Sequence, residues 1–177
     1  CVKTSLSEHC PASIPAIQAC TLPASAAAAK LVATRFLKRA GDRVLLLGAS
    51  GGVGTFLCQY AKRVQGVSFL AATTTQAELA TSTLGVDRVI DYREENWWEL
   101  ESEFQDEPFD VVVDLVNGPV NWPVGACSSR TKVLKPSAQY IQLISGVETE
   151  MDMRSILFDI IPFVFRLMVS RPLYCKL

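Results

Sequence analysis

Gly48, Gly52 and Gly54 punctuate the stretch Arg43-Val-Leu-Leu-Leu-Gly-Ala-Ser-Gly-Gly-Val-Gly54. A turn built this way suits the cradling of a pyrophosphate. One glycine lets the chain turn tightly, one lets phosphate oxygens approach bare backbone, and one lets a helix pack close to a strand. Candidate phosphate-binding residues are therefore Ser50, Gly51, Gly52, Val53 and Gly54, acting through backbone N–H groups at a helix N-terminus. The register is open on spacing alone. Read as G-x-G-x-x-G, Ala49 takes the first glycine place; read as G-x-x-x-G-x-G, the glycines are Gly48, Gly52 and Gly54, as in short-chain reductases. Those reductases also need Tyr-x-x-x-Lys, so that a nearby cation lowers the tyrosine pKa. Tyr60, Tyr92, Tyr140 and Tyr174 all lack a lysine four residues on.

Other candidates follow from strand ends. Nucleotide-binding turns of this kind place an Asp or Glu after the second strand when they hold a ribose 2′-OH. Here that place reads Ala71-Ala-Thr-Thr-Thr75. Missing a carboxylate that would repel a 2′-phosphate, it favours NADPH over NAD, with Thr73 and Thr74 as hydroxyl donors. Arg88 and Arg93 are the nearest cations and read as surface charges. Asn117, after the fourth strand, and Ile144 and Ser145, after the fifth, are candidates for the nicotinamide side. Asp114 reads as structural, having no second acid beside it. No Cys-x-x-Cys occurs, and His9 is the only histidine, so no zinc site is expected.

The elements that must position these residues are legible from periodicity. Val44 to Leu47 is a buried strand, and Val53, Phe56, Leu57, Tyr60, Ala61 and Val64 mark the apolar face of the following helix. Leu22 to Arg39 is an alanine-rich helix with a basic end. Further strands are expected over 67–72, 88–91, 109–116 and 139–144, with helices near 76–84, 94–104 and 121–134 between them. Trp97 and Trp98 should pack one inward and one outward. Strand–helix alternation implies an α/β, Rossmann-type doubly wound parallel sheet of about six strands with helices on both faces. Residues 1–21 read as a linker or the remnant of another domain, and 22–177 as the nucleotide-binding domain.

Met153 to Val169 is apolar but broken by Asp159, Pro162 and Arg166. It reads as a helix kinked or divided at Pro162 and packed on the sheet or on a further domain, a membrane-surface helix being the alternative, and it is too short and polar to span a bilayer. Pro172 to Leu177 is expected as a sixth strand. The chain has 177 residues, a formal charge of −1 and scattered cysteines. Nothing in this balance asks for nucleic acid, and the cysteines suggest a reducing, intracellular setting, cytoplasmic or organellar.

Taken together, Leu22-Pro23, Ala40-Gly-Asp-Arg-Val-Leu, Gly48-Ala-Ser-Gly-Gly-Val-Gly, Gln59-Tyr-Ala-Lys62, Leu84-Gly-Val-Asp-Arg-Val-Ile-Asp-Tyr92, Phe109-Asp-Val-Val-Val-Asp114 and Val133-Leu-Lys-Pro136 resemble the cofactor domain of medium-chain dehydrogenases/reductases. The match, over roughly residues 20 to 177, is to the zinc-independent quinone oxidoreductase branch, which accepts alanine at the first fingerprint glycine. The resemblance implies NADPH as cofactor, no zinc, and Tyr92 near the adenosine ribose. It implies a quinone or enone-like acceptor, and a GroES-like catalytic domain that this chain lacks. A homodimer or that missing domain is the implied partner. The alternative is a Rossmann-fold interaction module without turnover.

Overall fold

The computed structural model describes residues 10–116 and 131–143, together with the backbone of 168–172. Its centre is a six-stranded sheet: β1 (Arg43–Leu47), β2 (Phe69–Thr73), β3 (Arg88–Ile90), β4 (Phe109–Asp114), β5 (Leu134–Leu143) and β6 (Met168–Pro172), in the order β3-β2-β1-β4-β5-β6. The first five strands are parallel. The order reverses at β1, which pairs with β2 on one side and β4 on the other. The carboxyl ends of these two central strands therefore open the crevice where such sheets take ligands.

Alternating strand residues fill two cores. Val44, Leu46, Leu70, Ala72, Val111 and Val113 face one layer. That layer comprises α2 (Ala27–Phe36), α3 (Gly52–Tyr60, continued over Ala61–Gln65) and α4 (Ala77–Leu79, continued over Ala80–Leu84). Leu45, Leu47, Ala71 and Val112 face the other, where Trp97, Phe104, Phe109 and Tyr140 cover them. The chain reaches this face through a 3₁₀ turn (Trp97–Glu99) and α5 (Glu101–Phe104). Gly66 and Gly85 end the two continued helices at φ of 68° and 76°, the left-handed cap that glycine adopts without strain.

Several sequence expectations need correction. The sheet is not wholly parallel, because β6 runs antiparallel to β5. It occupies Met168–Pro172, not 172–177, so the apolar stretch ends in strand where a helix to Val169 was expected; 153–167 lies outside the described residues. Proline at the end of an outer strand costs no ladder bond. The expected helix over 121–134 falls largely outside the described residues, and Leu134 opens β5. Buried Val133 holds this entry in place by accepting the Phe109 N–H at 2.9 Å. The expected helix over 94–104 divides in two at Leu100, whose backbone (φ −83°, ψ 37°) is outside helical geometry; Trp97 is 3% exposed while Trp98 is half-buried. Val64, assigned to a buried face, is 61% exposed. A short helix, α1 (Ala16–Ala19), follows Pro15 within the segment read as a linker or remnant.

The run Ala16–Phe36 is 21 residues long with mean hydropathy 1.3, long and apolar enough by composition to cross a membrane. Its second half buries Ala29, Val32 and Ala33 in the core.

Candidate nucleotide-binding site

The glycine turn sits where the sheet reverses. β1 ends at Leu47, and Gly48 follows at φ 93°, which side-chain-bearing residues rarely adopt. A Cβ on Gly48 would lie 3.0 Å from Val116 Cγ2, so the end of β4 packs directly on the turn. Two bonds tie the turn to β2: Gly48 N–H donates to Thr73 Oγ1 at 2.9 Å, and Ala49 N–H to the Thr73 carbonyl at 3.1 Å. Ala49 is fully buried, while Ser50, Gly51 and Gly52 are exposed.

The three glycines of the turn's second half do different work. Gly54 lies beneath the turn, where a Cβ would stand 2.7 Å from the Ala49 carbonyl oxygen and nearer still to that of Gly48; only glycine lets α3 leave the strand at this angle. At Gly52 a Cβ would meet Ser25 Oγ at 2.8 Å, so its glycine serves packing against the segment before α2. Gly51 is the cap of α3 in extended backbone (φ −73°, ψ 167°), and its nearest neighbour to a Cβ is the Gly48 carbonyl oxygen at 3.6 Å. No side chain caps α3. The N–H groups of its first turn, Gly52 to Gly54, have no partner within the helix by geometry, and they carry the positive end of its dipole.

Beside the turn lies a cavity of about 400 Å³. It is lined by Leu47, Gly48, Ser50 and Thr73, by Val116, and by Tyr92 with Glu95 to Trp98. The volume is that of a small-molecule site. Of the residues expected from sequence, Ser50, Thr73 and Tyr92 come together here, with Gly51, Val53 and Gly54 on the adjoining helix start. Tyr92, 60% exposed, lines the cavity. Thr74 is placed elsewhere: it is 1% exposed and its hydroxyl accepts the Gln76 N–H at 3.0 Å, capping the next turn. Its burial counts against the expected role as a hydroxyl donor to the cofactor, and Thr73 is itself only 5% exposed. Asn117, Ile144 and Ser145 lie outside the described residues.

Arg88 does not reach toward the cavity as a free cation. Its guanidinium grips both oxygens of Glu95 at 2.9 and 3.0 Å and both of Glu103 at 2.9 and 3.1 Å, and also donates to the Val89 carbonyl. Hydrogen bonding from Arg88 holds the Glu95 carboxyl below its ordinary range. Asp114 is fully buried, accepting the Tyr140 hydroxyl at 2.8 Å and the Val116 N–H at 2.9 Å. It shapes the end of β4 from below, in keeping with a structural role. Burial, reinforced by the Asp114 charge, pushes the Tyr140 phenol well above its usual range.

Glu95, Asn96 and the two tryptophans escaped the sequence reading as site residues. Their signal was position: they follow the carboxyl end of β3 on the same loop as Tyr92. A second hollow, about 460 Å³, opens at the opposite end of the strands beside Arg39, Asp42 and Asp110. It has no glycine turn and no helix start, and Arg35 and Lys38 share its wall with Arg39 and the two carboxylates. Among the described residues no group of three or more His, Cys, Asp or Glu is placed to hold a metal ion.

No family model matches the chain. It is 37% identical over 141 residues to a chloroplastic NADPH-dependent alkenal/one oxidoreductase of Arabidopsis thaliana, covering 77% of this chain and 32% of that protein. It is 34% identical over 153 residues to a mitochondrial NAD(P)H oxidoreductase of Bos taurus, covering 81% of this chain and 36% of the relative. Among solved structures, the quinone oxidoreductase of Coxiella burnetii superposes with a TM-score of 0.62 at 21% identity, over 90% of this chain and 52% of that one, a likeness of fold. The chain thus spans about a third of the length of the curated relatives it matches.

Proposed function

We propose that this chain, which is related to the medium-chain dehydrogenases/reductases of the quinone oxidoreductase-like type, is the nucleotide-binding half of an NADPH-dependent oxidoreductase. The observation that carries this reading is the glycine turn at the sheet's reversal, its exposed helix start set beside an aromatic-walled cavity. Gly54 allows the close strand–helix approach, and the N–H groups of Gly52, Val53 and Gly54 would hold the pyrophosphate, with Ser50 and Gly51 beside them. Thr73 and Tyr92 would hold the adenosine ribose. Asn117, Ile144 and Ser145 remain our candidates for the nicotinamide side.

NADPH is favoured over NADH by the lack of a carboxylate at the end of β2. A relative sharing 37% of its residues over 141 positions is itself NADPH-dependent by name. When bound, the cofactor supplies a hydride, here to a quinone or an activated carbon–carbon double bond. The protein's share is to bind, orient and exclude water. We assign no catalytic group to this chain. Residues 22–177 form the nucleotide-binding domain in this reading and 1–21 the link to a second, GroES-like domain. That domain would close over the acceptor, and turnover by this chain alone is expected to be small. We place the enzyme inside the cell and read it as zinc-independent.

Titrating NADPH and NADH while following nicotinamide fluorescence tests the reading. Saturable binding that prefers NADPH supports it. No binding of either at millimolar concentration refutes it and favours an interaction module without turnover.

A further inference from the structure

We propose that the hollow at the amino ends of the strands is a second ligand site, which takes a small phosphate monoester carrying hydroxyl groups. This goes beyond the nucleotide-binding reading and does not depend on it. The hollow, about 460 Å³, has the volume of a small-molecule site. It opens where the end of α2, the residue before β1 and the β4–β5 pair come together. That pair is irregular here. Phe109 pairs with Leu134 but Val111 with Gln139, so β5 advances five residues while β4 advances two. The excess chain, 135–138, forms a bulge, the device that re-aims side chains beside sites. Exposed Ser137 in the bulge and Gln139 after it both line the hollow.

The charges suit a dianion. Arg35 stands in the last turn of α2, and Lys38 and Arg39 follow its cap, Leu37. All three are exposed and line the hollow. Among the described residues none of their side chains is held in an ion pair. The two carboxylates on the wall are not equivalent. Asp110 is engaged already: one oxygen accepts Lys135 Nζ at 2.7 Å and the other the Arg43 N–H at 3.0 Å. Asp42 has no cation at ion-pair distance among the described residues. Burial first, and then the Asp110 charge, raise its carboxyl above the ordinary range, with Arg39 opposing the shift.

Lys135 balances Asp110, so three cations face one uncompensated carboxylate and leave two positive charges. A phosphate monoester carries about −1.5 to −2 near neutrality and matches them; a monocarboxylate brings half of that. The planar forks of Arg35 and Arg39 are suited to pairs of phosphate oxygens. Hydroxyls on the same ligand would donate to Asp42, whose part-buried charge gains from each such bond.

Ribose 5-phosphate, inorganic phosphate and ribose, titrated into the full chain by calorimetry at low salt, test this. Ribose 5-phosphate should bind tightest, inorganic phosphate more weakly, and ribose not at all. Arg35→Gln combined with Arg39→Gln should weaken ribose 5-phosphate by about tenfold or more, each change removing a charge-assisted bond. Asp42→Asn should act the other way on inorganic phosphate, tightening it by about threefold as a repelling charge is lost, and should narrow the preference for the sugar phosphate. NADPH titrated into the same proteins tells the two sites apart, because the glycine turn lies at the other end of the sheet: its affinity should not follow that of ribose 5-phosphate. No saturable binding of ribose 5-phosphate by the parent at millimolar concentration overturns the proposal, as does equal binding by the parent and the double variant. A double variant that loses both ligands alike overturns the separateness of the site. A parent that binds ribose 5-phosphate but not NADPH refutes the nucleotide reading and leaves this one standing. Should the double variant not fold, Lys38→Gln takes its place.

Discussion

Replacing Gly51 by alanine separates what the fold requires from what a ligand requires. At this position a Cβ approaches only the Gly48 carbonyl oxygen, at 3.6 Å, an ordinary contact, and the backbone is extended. Two small terms then oppose each other. Alanine restricts the unfolded chain, which is worth about 0.4–1 kcal/mol in favour of folding. Alanine is also a poorer helix cap than glycine, by roughly the same amount. The net change in stability should stay within about 0.5 kcal/mol, a melting shift under about 2 °C for a chain of this size. Binding has no such cancellation. A methyl group at the cap would stand between the first-turn N–H groups and the pyrophosphate, and one charge-assisted hydrogen bond lost costs about 2 kcal/mol, or roughly thirtyfold in Kd. Thermal melting and an NADPH titration on the same preparation measure both quantities. A Gly51→Ala protein that melts like the parent and binds NADPH equally well refutes the placement of phosphate against this backbone. Gly54→Ala provides the contrast: the new Cβ would collide with backbone at Gly48 and Ala49, and overpacking against backbone should cost about 1–3 kcal/mol.

Tyr140→Phe removes a donor from buried Asp114, and a weakened bond to a buried charge should lower stability by about 1.5–3 kcal/mol in chemical denaturation; an unchanged midpoint would show that Asp114 is held by its other contacts. Burial pushes the Cys58 thiol up to about 12, so at pH 8 peptide mapping after brief alkylation should find Cys58 unmodified and exposed Cys10 and Cys20 labelled, with Cys58 reacting only in denaturant. Glu95 has a depressed pKa because Arg88 binds its charged form, so the folded state holds fewer protons there than the unfolded one and the contribution is present above the ordinary glutamate pKa, about 4.3. The melting difference between parent and Glu95→Gln should therefore be constant near neutrality and close as pH falls below about 4; a difference that grows on acidification contradicts the assignment.

The sheet was readable because its strands carry unambiguous patterns. Arg43–Leu47 and Phe109–Asp114 are short apolar runs bounded by turn residues, and buried parallel strands look like that. The glycine turn was readable for the same reason: strand, glycines and helix occur together. What pattern could not supply was direction and side. Thr73 and Thr74 are adjacent and alike in chemistry, yet one lines the cavity while the other caps a turn beneath it, because only the local hydrogen bonds of each decide. Besides its place in the phosphate turn, Gly52 packs against Ser25, 27 positions earlier, a proximity no local window shows. Trp97 and Trp98 divided as inward and half-buried, but their position over the cavity depends on how the loop after β3 folds back. The final strand was misplaced because an apolar run of that length fits helix and strand alike.

The double attachment of the phosphate turn to Thr73 sets a rule for anyone retargeting cofactor choice. The hydroxyl of Thr73 is a fastening for Gly48, and its carbonyl a fastening for Ala49. An acidic or basic replacement at that residue alters the fastening together with the ribose environment, and a change in preference would arrive mixed with a distorted turn. Swaps at Tyr92 and Asn96, which border the same chamber without gripping the turn, leave that mooring in place and are the cleaner entry for redesign.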